Sequence, residues 1–452
     1  MNQAEKTAFN KQYWRFLISS ILIALSGCLG NVVDAIIVGN FINEDAVSAI
    51  NLSKPVIQFM FTLSMLVATG AAMLVGMEIG KKNMARAAYI YTLSITLSLA
   101  IGFMLTACGL LIPDTVTGWL CDNRQLYQPT YDYLRVMLLG APAYMMMWGI
   151  NMMVSVDGSP RLVSFAIIID NAVNLSLDIL FIKLLGWGIQ GSSTATVVGH
   201  LVGITIMSRH YLQKDNHLLL VFKDTLPLSS GRAGIGLALH QIISQGAPLA
   251  IASVCLTLLL FSANNIVLSS LGRNGIFAFA LCMNLLQIYN LFLSGVCRTI
   301  QSLGAIQVGK GDDEAFRLLL RKAFRFITLA MVSTCGIVWI APQAIARLFG
   351  ADEAELIAQG SHALRILSLS FIPFCYIYVL MIVYKLYKCH KMALFISFAL
   401  SLTVIPVMLC VAKLAPQQLW YSYLIAYTIE ALLIILLHRL NHVKFSLITR
   451  HP

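Results

Sequence analysis

Apolar residues in this chain come in long unbroken runs rather than in alternation. Each run is close to the ~20 residues that a helix needs to cross a hydrocarbon layer ~30 Å thick. Twelve are read, near 16–39, 54–77, 88–112, 134–156, 163–185, 188–208, 246–270, 276–300, 326–346, 365–387, 392–414 and 419–438. They predict an all-α integral membrane protein of twelve transmembrane helices. Strand-like alternation is absent, which excludes a β-barrel. The longest connection, 209–245, divides the runs six and six. The predicted domains are an N-lobe over 1–208, a cytoplasmic connection over 209–245, and a C-lobe over 246–452 that includes a cytoplasmic tail.

At the start of the chain, Leu25-Ser26-Gly27-Cys28 has the form of a lipoprotein cleavage box. The apolar stretch nevertheless continues to Gly39 where a polar tether would be needed, so the segment reads as the first span.

Composition agrees with the pattern. The chain is 58% hydrophobic and 11% charged, where a soluble domain carries roughly 25% charge. Of 31 Lys and Arg residues, 22 fall in the loops on one side. The positive-inside rule then puts both termini in the cytoplasm, in a multi-pass protein of the cell (inner) membrane. The net charge of +11 is thereby explained by topology. No arginine-rich tract interleaved with aromatics points to nucleic acid. The ten cysteines lie mostly inside apolar runs and form no CxxC, so they read as small buried hydrophobes rather than metal ligands. Cys121 alone falls in an outer loop. Nothing matches GxxxxGK[ST], so ATP is not the direct energy source, and no HExxH or GxGD marks an enzyme.

Shifting the first half by 229 positions sets Ala49 on Ala278, Gln58 on Gln287, Gly80 on Gly309 and Lys81 on Lys310. Six spans per half make these parallel repeats, related by a pseudo-two-fold axis along the membrane normal.

An ionisable side chain at mid-bilayer costs at least ~2.5–3.5 kcal/mol on insertion scales, so each one asks for a reason. The first span carries Asn31 and Asp34, and the fifth carries a stripe of Asp170, Asn171, Asn174 and Asp178. The second adds Gln58, Thr62 and Thr69, and the sixth adds Thr194, Thr196 and His200. Hydrogen bonding between helices accounts for Asn31, Asn171, Thr62 and Thr69, with His200 as a packing partner. Asp34 and Asp178 ask for more than packing, because a buried ionised acid is expensive, and Asp170 stands between the two readings. In the second half, Gln287, Asn290, Ser294, Arg298 and Gln301 share one face of the eighth span, and Glu430 lies in the twelfth. Two readings of Arg298 are open. It pairs with Glu430, or it bonds backbone carbonyls and Gln301 while Glu430 stays protonated.

Several motifs in order carry a family resemblance. They are Val33-Asp34-Ala35-Ile36-Ile37-Val38-Gly39, Ile79-Gly80-Lys81-Lys82, Asp157-Gly158-Ser159-Pro160-Arg161, Asn174-Leu175-Ser176-Leu177-Asp178 and Gly188-Ile189-Gln190-Gly191-Ser192-Ser193-Thr194-Ala195-Thr196. With them the chain resembles the multidrug and toxic-compound extrusion (MATE) family over essentially its whole length. The resemblance implies two six-helix bundles in a V, with a central cavity open to one side at a time. It implies a cation-coupling site on Asp34, Asn174, Asp178 and Thr196. Asn31, Gln58, Asp170, Gln287 and Arg298, from the polar positions above, are the candidate cavity or substrate residues. The activity implied is antiport of inward protons or sodium against outward amphipathic or cationic organic compounds. The protein would be a monomer surrounded by membrane lipid, with no cofactor beyond the transported H+ or Na+. One branch of the family adds a C-lobe sodium site from acids in the seventh and tenth spans; here 246–270 and 365–387 hold no acid. The alternative on the same fold is a flippase for a lipid-linked or polyanionic precursor, with Arg298 holding a phosphate.

Overall fold

The computed structural model describes residues 3–42, 44–120, 124–212, 216, 218, 231–348 and 353–440, and no strand occurs among them. Nine of the described helices are long and apolar enough to cross a membrane. The first half holds α1 (Gln3–Phe41), α2 (Glu44–Gly80), α3 (Met84–Leu111), the short α4 (Pro113–Gly118), α5 (Arg124–Leu139), α6 (Ala141–Val156), α7 (Pro160–Asp178) and α8 (Gly188–Ser208). The second holds α9 (Gly231–Thr299), α10 (Ala305–Lys310), α11 (Asp313–Ile340), the short α12 (Pro342–Leu348), α13 (Ala354–Leu386), α14 (His390–Leu402), α15 (Val404–Leu414) and α16 (Tyr421–Leu440).

Departures from the expected spans have local causes. The fourth span is a pair, Leu126–Leu139 and Ala141–Val156, bent by 53°. Pro142 lacks an amide proton at the bend, and a side chain at Gly140 would overlap Val197. α8 has 21 residues, long enough to cross, and its polar run from Gln190 to Thr196 makes it less apolar than those nine. α9 contains the seventh and eighth spans, broken at Gly272, whose φ of 63° is left-handed. The ninth span starts at Asp313 rather than near 326, because the Asp312 carboxylate accepts the Ala315 amide at 2.9 Å and caps the helix there. It ends at Ile340, since Pro342 starts a separate helix. The eleventh is divided at Thr403, where Pro406 cannot donate to the Leu402 carbonyl.

The chain separates into two compact units. One is Thr7–Gly246 with Gly309–Gly311; the other contains Ala247–Val308 and the chain from Asp312 onward. The 229-residue offset reappears as backbone geometry. Lys82 and Gly311 are both left-handed, with φ of 61° and 69°. The next amide in each half reaches back five residues, Asn83 to the Glu78 carbonyl at 2.9 Å and Asp312 to the Gln307 carbonyl at 3.0 Å. Each of these residues then caps the following helix, Asn83 by accepting the Arg86 amide at 3.2 Å, as Asp312 accepts that of Ala315. This is a helix-ending motif of Schellman type joined to an N-cap. The short helices at Pro113 and Pro342 also lie 229 apart.

In the second half the structure decides one open reading and corrects one expectation. Glu430 is completely buried and neither carboxylate oxygen accepts a hydrogen bond, so the pair with Arg298 does not form. Arg298 interacts elsewhere. Apolar periodicity places two residues at a depth but not at an azimuth around the bundle. Lys385 is one of the 22 cations that the sequence assigns to the loops on the cytoplasmic side; it is completely buried, because α13 runs on through Leu386.

Candidate functional site

Small residues let α7 and α8 come close, as in other membrane bundles. A Cβ at Gly199 would stand 2.7 Å from Asp170 Oδ1, and one at Gly203 would stand 3.3 Å from Asp170 Cβ. The two helices run antiparallel, and their polar residues meet in rungs one turn apart. On the first rung, His200 Nδ1 lies 3.2 and 3.3 Å from the two oxygens of Asp170. On the second, Asn174 Nδ2 donates to Thr196 Oγ1 at 3.1 Å, and Thr196 donates on to the Ser192 carbonyl at 3.1 Å. The same register, one turn further, brings Asp178 level with Ser192, and both are buried. Asp178 closes α7, and the chain passes directly into a π-helical turn, Ile179–Leu184. Such turns are rare and concentrate at functional positions.

The two rungs form one wall of a cavity of about 440 Å3 inside the N-terminal unit. Gln58 of α2 adds a polar group, and Phe61, Tyr133, Tyr144 and Trp148 add aromatic surface. Phe61 and Trp148 meet edge to face at 5.2 Å, and the Tyr144 ring stands 5.5 Å from the His200 ring. Asp170 is the one carboxylate among the described lining residues, and no Lys or Arg is among them. An aromatic box with one carboxylate suits an organic cation, held by ring faces and by charge.

Of the residues singled out in the sequence, Gln58, Asp170, Asn171, Asn174, Thr196 and His200 come together at this cavity. Asp178 is fully buried a turn beyond Asn174 and is not among the described lining residues. The side chains of Asn31 and Asp34 lie outside the described residues, as does Cys121. Gln287 and Arg298 stand on α9 in the other unit, Gln287 exposed and Arg298 half-buried. The sequence reading missed two things. His200 does pack α8 against α7 through Asp170, as expected of a packing partner, but it also lines the cavity. The aromatic wall was not foreseen at all; its one signal was the Met145-Met146-Met147-Trp148 cluster amid the fourth span.

An all-helical membrane bundle that encloses a polar and aromatic cavity at the depth of its own spans defines a multi-pass membrane transporter. The MatE family profile matches residues 14–180 and 248–410. The chain belongs to this family, the multidrug and toxic-compound extrusion efflux transporters. Among relatives, it is 20% identical over 348 residues to the multidrug export protein MepA of Staphylococcus haemolyticus (strain JCSC1435), covering 77% of this chain and 75% of that one. Among solved structures, it matches an outward-facing multidrug resistance MATE family transporter of the MOP superfamily, with a TM-score of 0.85, 19% identity and 96% of both chains covered. A MOP superfamily transporter from Pyrococcus furiosus, described as having a binding pocket of reversed polarity that suggests a different function, matches with a TM-score of 0.85 at 18% identity, again over 96% of both chains. At these identities the structural matches speak to the fold.

Proposed function

We propose that the protein exports amphipathic organic cations from the cytoplasm in exchange for inward protons or sodium ions, by alternating access across the cell membrane. The observation that carries this reading is the cavity in which the Asp170–His200 and Asn174–Thr196 rungs face Phe61, Tyr144 and Trp148. The exchange is a competition. Ionised Asp34 and Asp178, with Asn174 and Thr196, attract either the coupling ion or the cationic substrate. Arrival of a proton or sodium ion from outside removes that attraction and releases the substrate. Each net charge moving down 100 mV supplies about 2.3 kcal/mol, enough for roughly fiftyfold accumulation. Export of a monovalent cation therefore draws on the potential only when more than one coupling ion enters per cation; a one-for-one exchange draws on the concentration gradient of the ion alone. The name of the staphylococcal relative, a multidrug export protein, agrees with this substrate class. The flippase alternative needs cations to hold a phosphate, and the described cavity wall carries neither Lys nor Arg.

The test uses inside-out membrane vesicles that contain the full chain, with both termini cytoplasmic. A fluorescent organic cation should accumulate when a proton gradient or a sodium gradient is imposed alone, and not when both are collapsed. Accumulation that ignores both gradients would refute the coupling, and accumulation of a lipid-linked phosphate in place of the cation would favour the flippase.

A further inference from the structure

A second, smaller hollow of about 160 Å3 opens on the outer face of the N-terminal unit, between α1 and α7. Ser26, Leu29, Ala172 and Leu175 line it, and it shares Gly30, Asn171 and Asn174 with the larger cavity. These three shared residues are therefore the partition between the two spaces. The hollow is flanked by apolar faces of both helices. On α1, Ile18, Leu22, Leu25 and Leu29 recur at steps of four, three and four, and all are exposed. On α7, Phe165, Ile168 and Ile179 are exposed, and so are Ala172 and Ser176 between them. Exposed apolar stripes at helical spacing on two spanning helices have the composition of surfaces that meet lipid.

Polar groups are placed where those stripes converge. Asn171 Nδ2 donates to Ser26 Oγ at 3.0 Å across the gap, and to the Ile167 carbonyl at 2.9 Å on its own helix. Asn171 lies directly over Gly30, where any Cβ would overlap its side-chain oxygen. The partition is thus two amide side chains and a glycine, with Asn171 resting on Gly30 and held by the Ser26 hydroxyl and the Ile167 carbonyl. A rotation about Asn171 χ1 would give up the bonds to Ser26 and Ile167 and widen the passage beside Asn174.

The geometry points to the α1–α7 hollow as a lateral portal. Amphipathic organic cations already dissolved in the bilayer pass through it into the cavity, with Asn171 as its bar and Ser26 as the catch. The argument for that occupant is continuity. The hollow leads from lipid-facing Leu29 and Ala172, past the amides of Asn171 and Asn174, to the carboxylate of Asp170. An amphiphile with an apolar body and a cationic head meets matching chemistry at each stage. The portal rests on the export reading above and adds the route by which that substrate class reaches the site.

Ala172→Trp and Leu29→Trp each fill the hollow from the lipid side without touching the cavity wall. Vesicles with the wild type or either variant would be compared for initial rates with two probes, lipid-soluble tetraphenylphosphonium and water-soluble tetraethylammonium. Both variants should slow tetraphenylphosphonium at least fivefold and leave tetraethylammonium within twofold. Tetraphenylphosphonium binding to the purified variants and their unfolding temperature should be unchanged, which separates a blocked route from a damaged site or fold. Unchanged tetraphenylphosphonium rates in both variants, or equal losses for the two probes, would overturn the portal and leave the export reading standing. A wild type that transports neither probe would instead overturn the export reading, and the portal with it.

Discussion

Replacing Gly199 by alanine adds one methyl group at the closest approach of α7 and α8. The new Cβ would lie 2.7 Å from Asp170 Oδ1, 3.0 Å from the Asp170 carbonyl oxygen and 3.3 Å from Asn174 Cβ, where ordinary contact begins at 3.4 Å. The helices must therefore part by roughly 0.7 Å, or the carboxylate must swing off His200. Overpacking of this kind costs about 1–3 kcal/mol, partly offset by the ~1 kcal/mol that alanine gains over glycine inside a helix. Gly149 supplies the control. A Cβ there would meet only Ser98 Oγ at 3.7 Å and Ile95 Cδ1 at 3.8 Å, so Gly149→Ala should keep the helix gain without the clash. The two variants should differ by about 1–3 kcal/mol in opposite senses. For a unit of this size each kcal/mol shifts Tm by about 2–4 °C. Purified in detergent and followed by thermal unfolding, Gly199→Ala should melt roughly 3–10 °C below Gly149→Ala. Equal melting temperatures, or a higher one for Gly199→Ala, would refute the account of how α8 seats Asp170.

Asp34→Asn and Asp178→Asn should each abolish gradient-driven export while insertion and yield stay normal, because asparagine keeps the shape but exchanges no proton; full export by both would dismiss the coupling site. Asp170→Asn should weaken an organic cation roughly hundredfold and leave a neutral probe unchanged, since a charge ~6 Å away at an effective dielectric of ~20 contributes about 2.8 kcal/mol; titration calorimetry on the purified protein reads both. Tyr387, beyond the end of α13 and packed on the Phe316 ring at 5.5 Å, has its pKa pushed up to about 12 by burial, with Asp313 adding to the shift and Arg317 opposing it. The unfolded chain ionises tyrosine near ~10, so this residue's contribution is present below that pH and lost as pH rises toward 12. Tyr387→Phe should therefore flatten the fall in melting temperature between pH 10 and 12, and an unaltered fall would count against the assignment.

The spans were legible in the sequence because the bilayer imposes one rule on every one of them. Boundaries were less so, since α11 begins at an Asp312 cap and continues amphipathically through Arg317 and Arg321 before its fully apolar part. At the site, the polar stripe from Asp170 to Asp178 was readable as a pattern of 3.6, and Thr196 as its neighbour's partner through family resemblance. The rungs were not, because pairing Asp170 with His200 requires the relative height of two helices. Phe61, Tyr144 and Trp148 were hidden for another reason. An aromatic that walls a cavity and one that fills a core have the same neighbours in sequence. The π-helical turn after Asp178 also leaves no compositional mark, since it changes hydrogen-bond spacing and not residue type.

The paired turns at Lys82 and Gly311 carry a consequence for how the two halves have diverged. A lysine held left-handed costs roughly 1–2 kcal/mol that a glycine does not, yet both positions keep the same bend. What is held in common is the wiring of amides to carbonyls around the bend, not the side chain that sits on it. Symmetry of that kind survives nearly complete replacement of residues. It leaves each half free to carry its own cargo of polar groups, acids along α7 in one and an uncompensated Glu430 and Lys385 in the other, on a frame that the two copies still share.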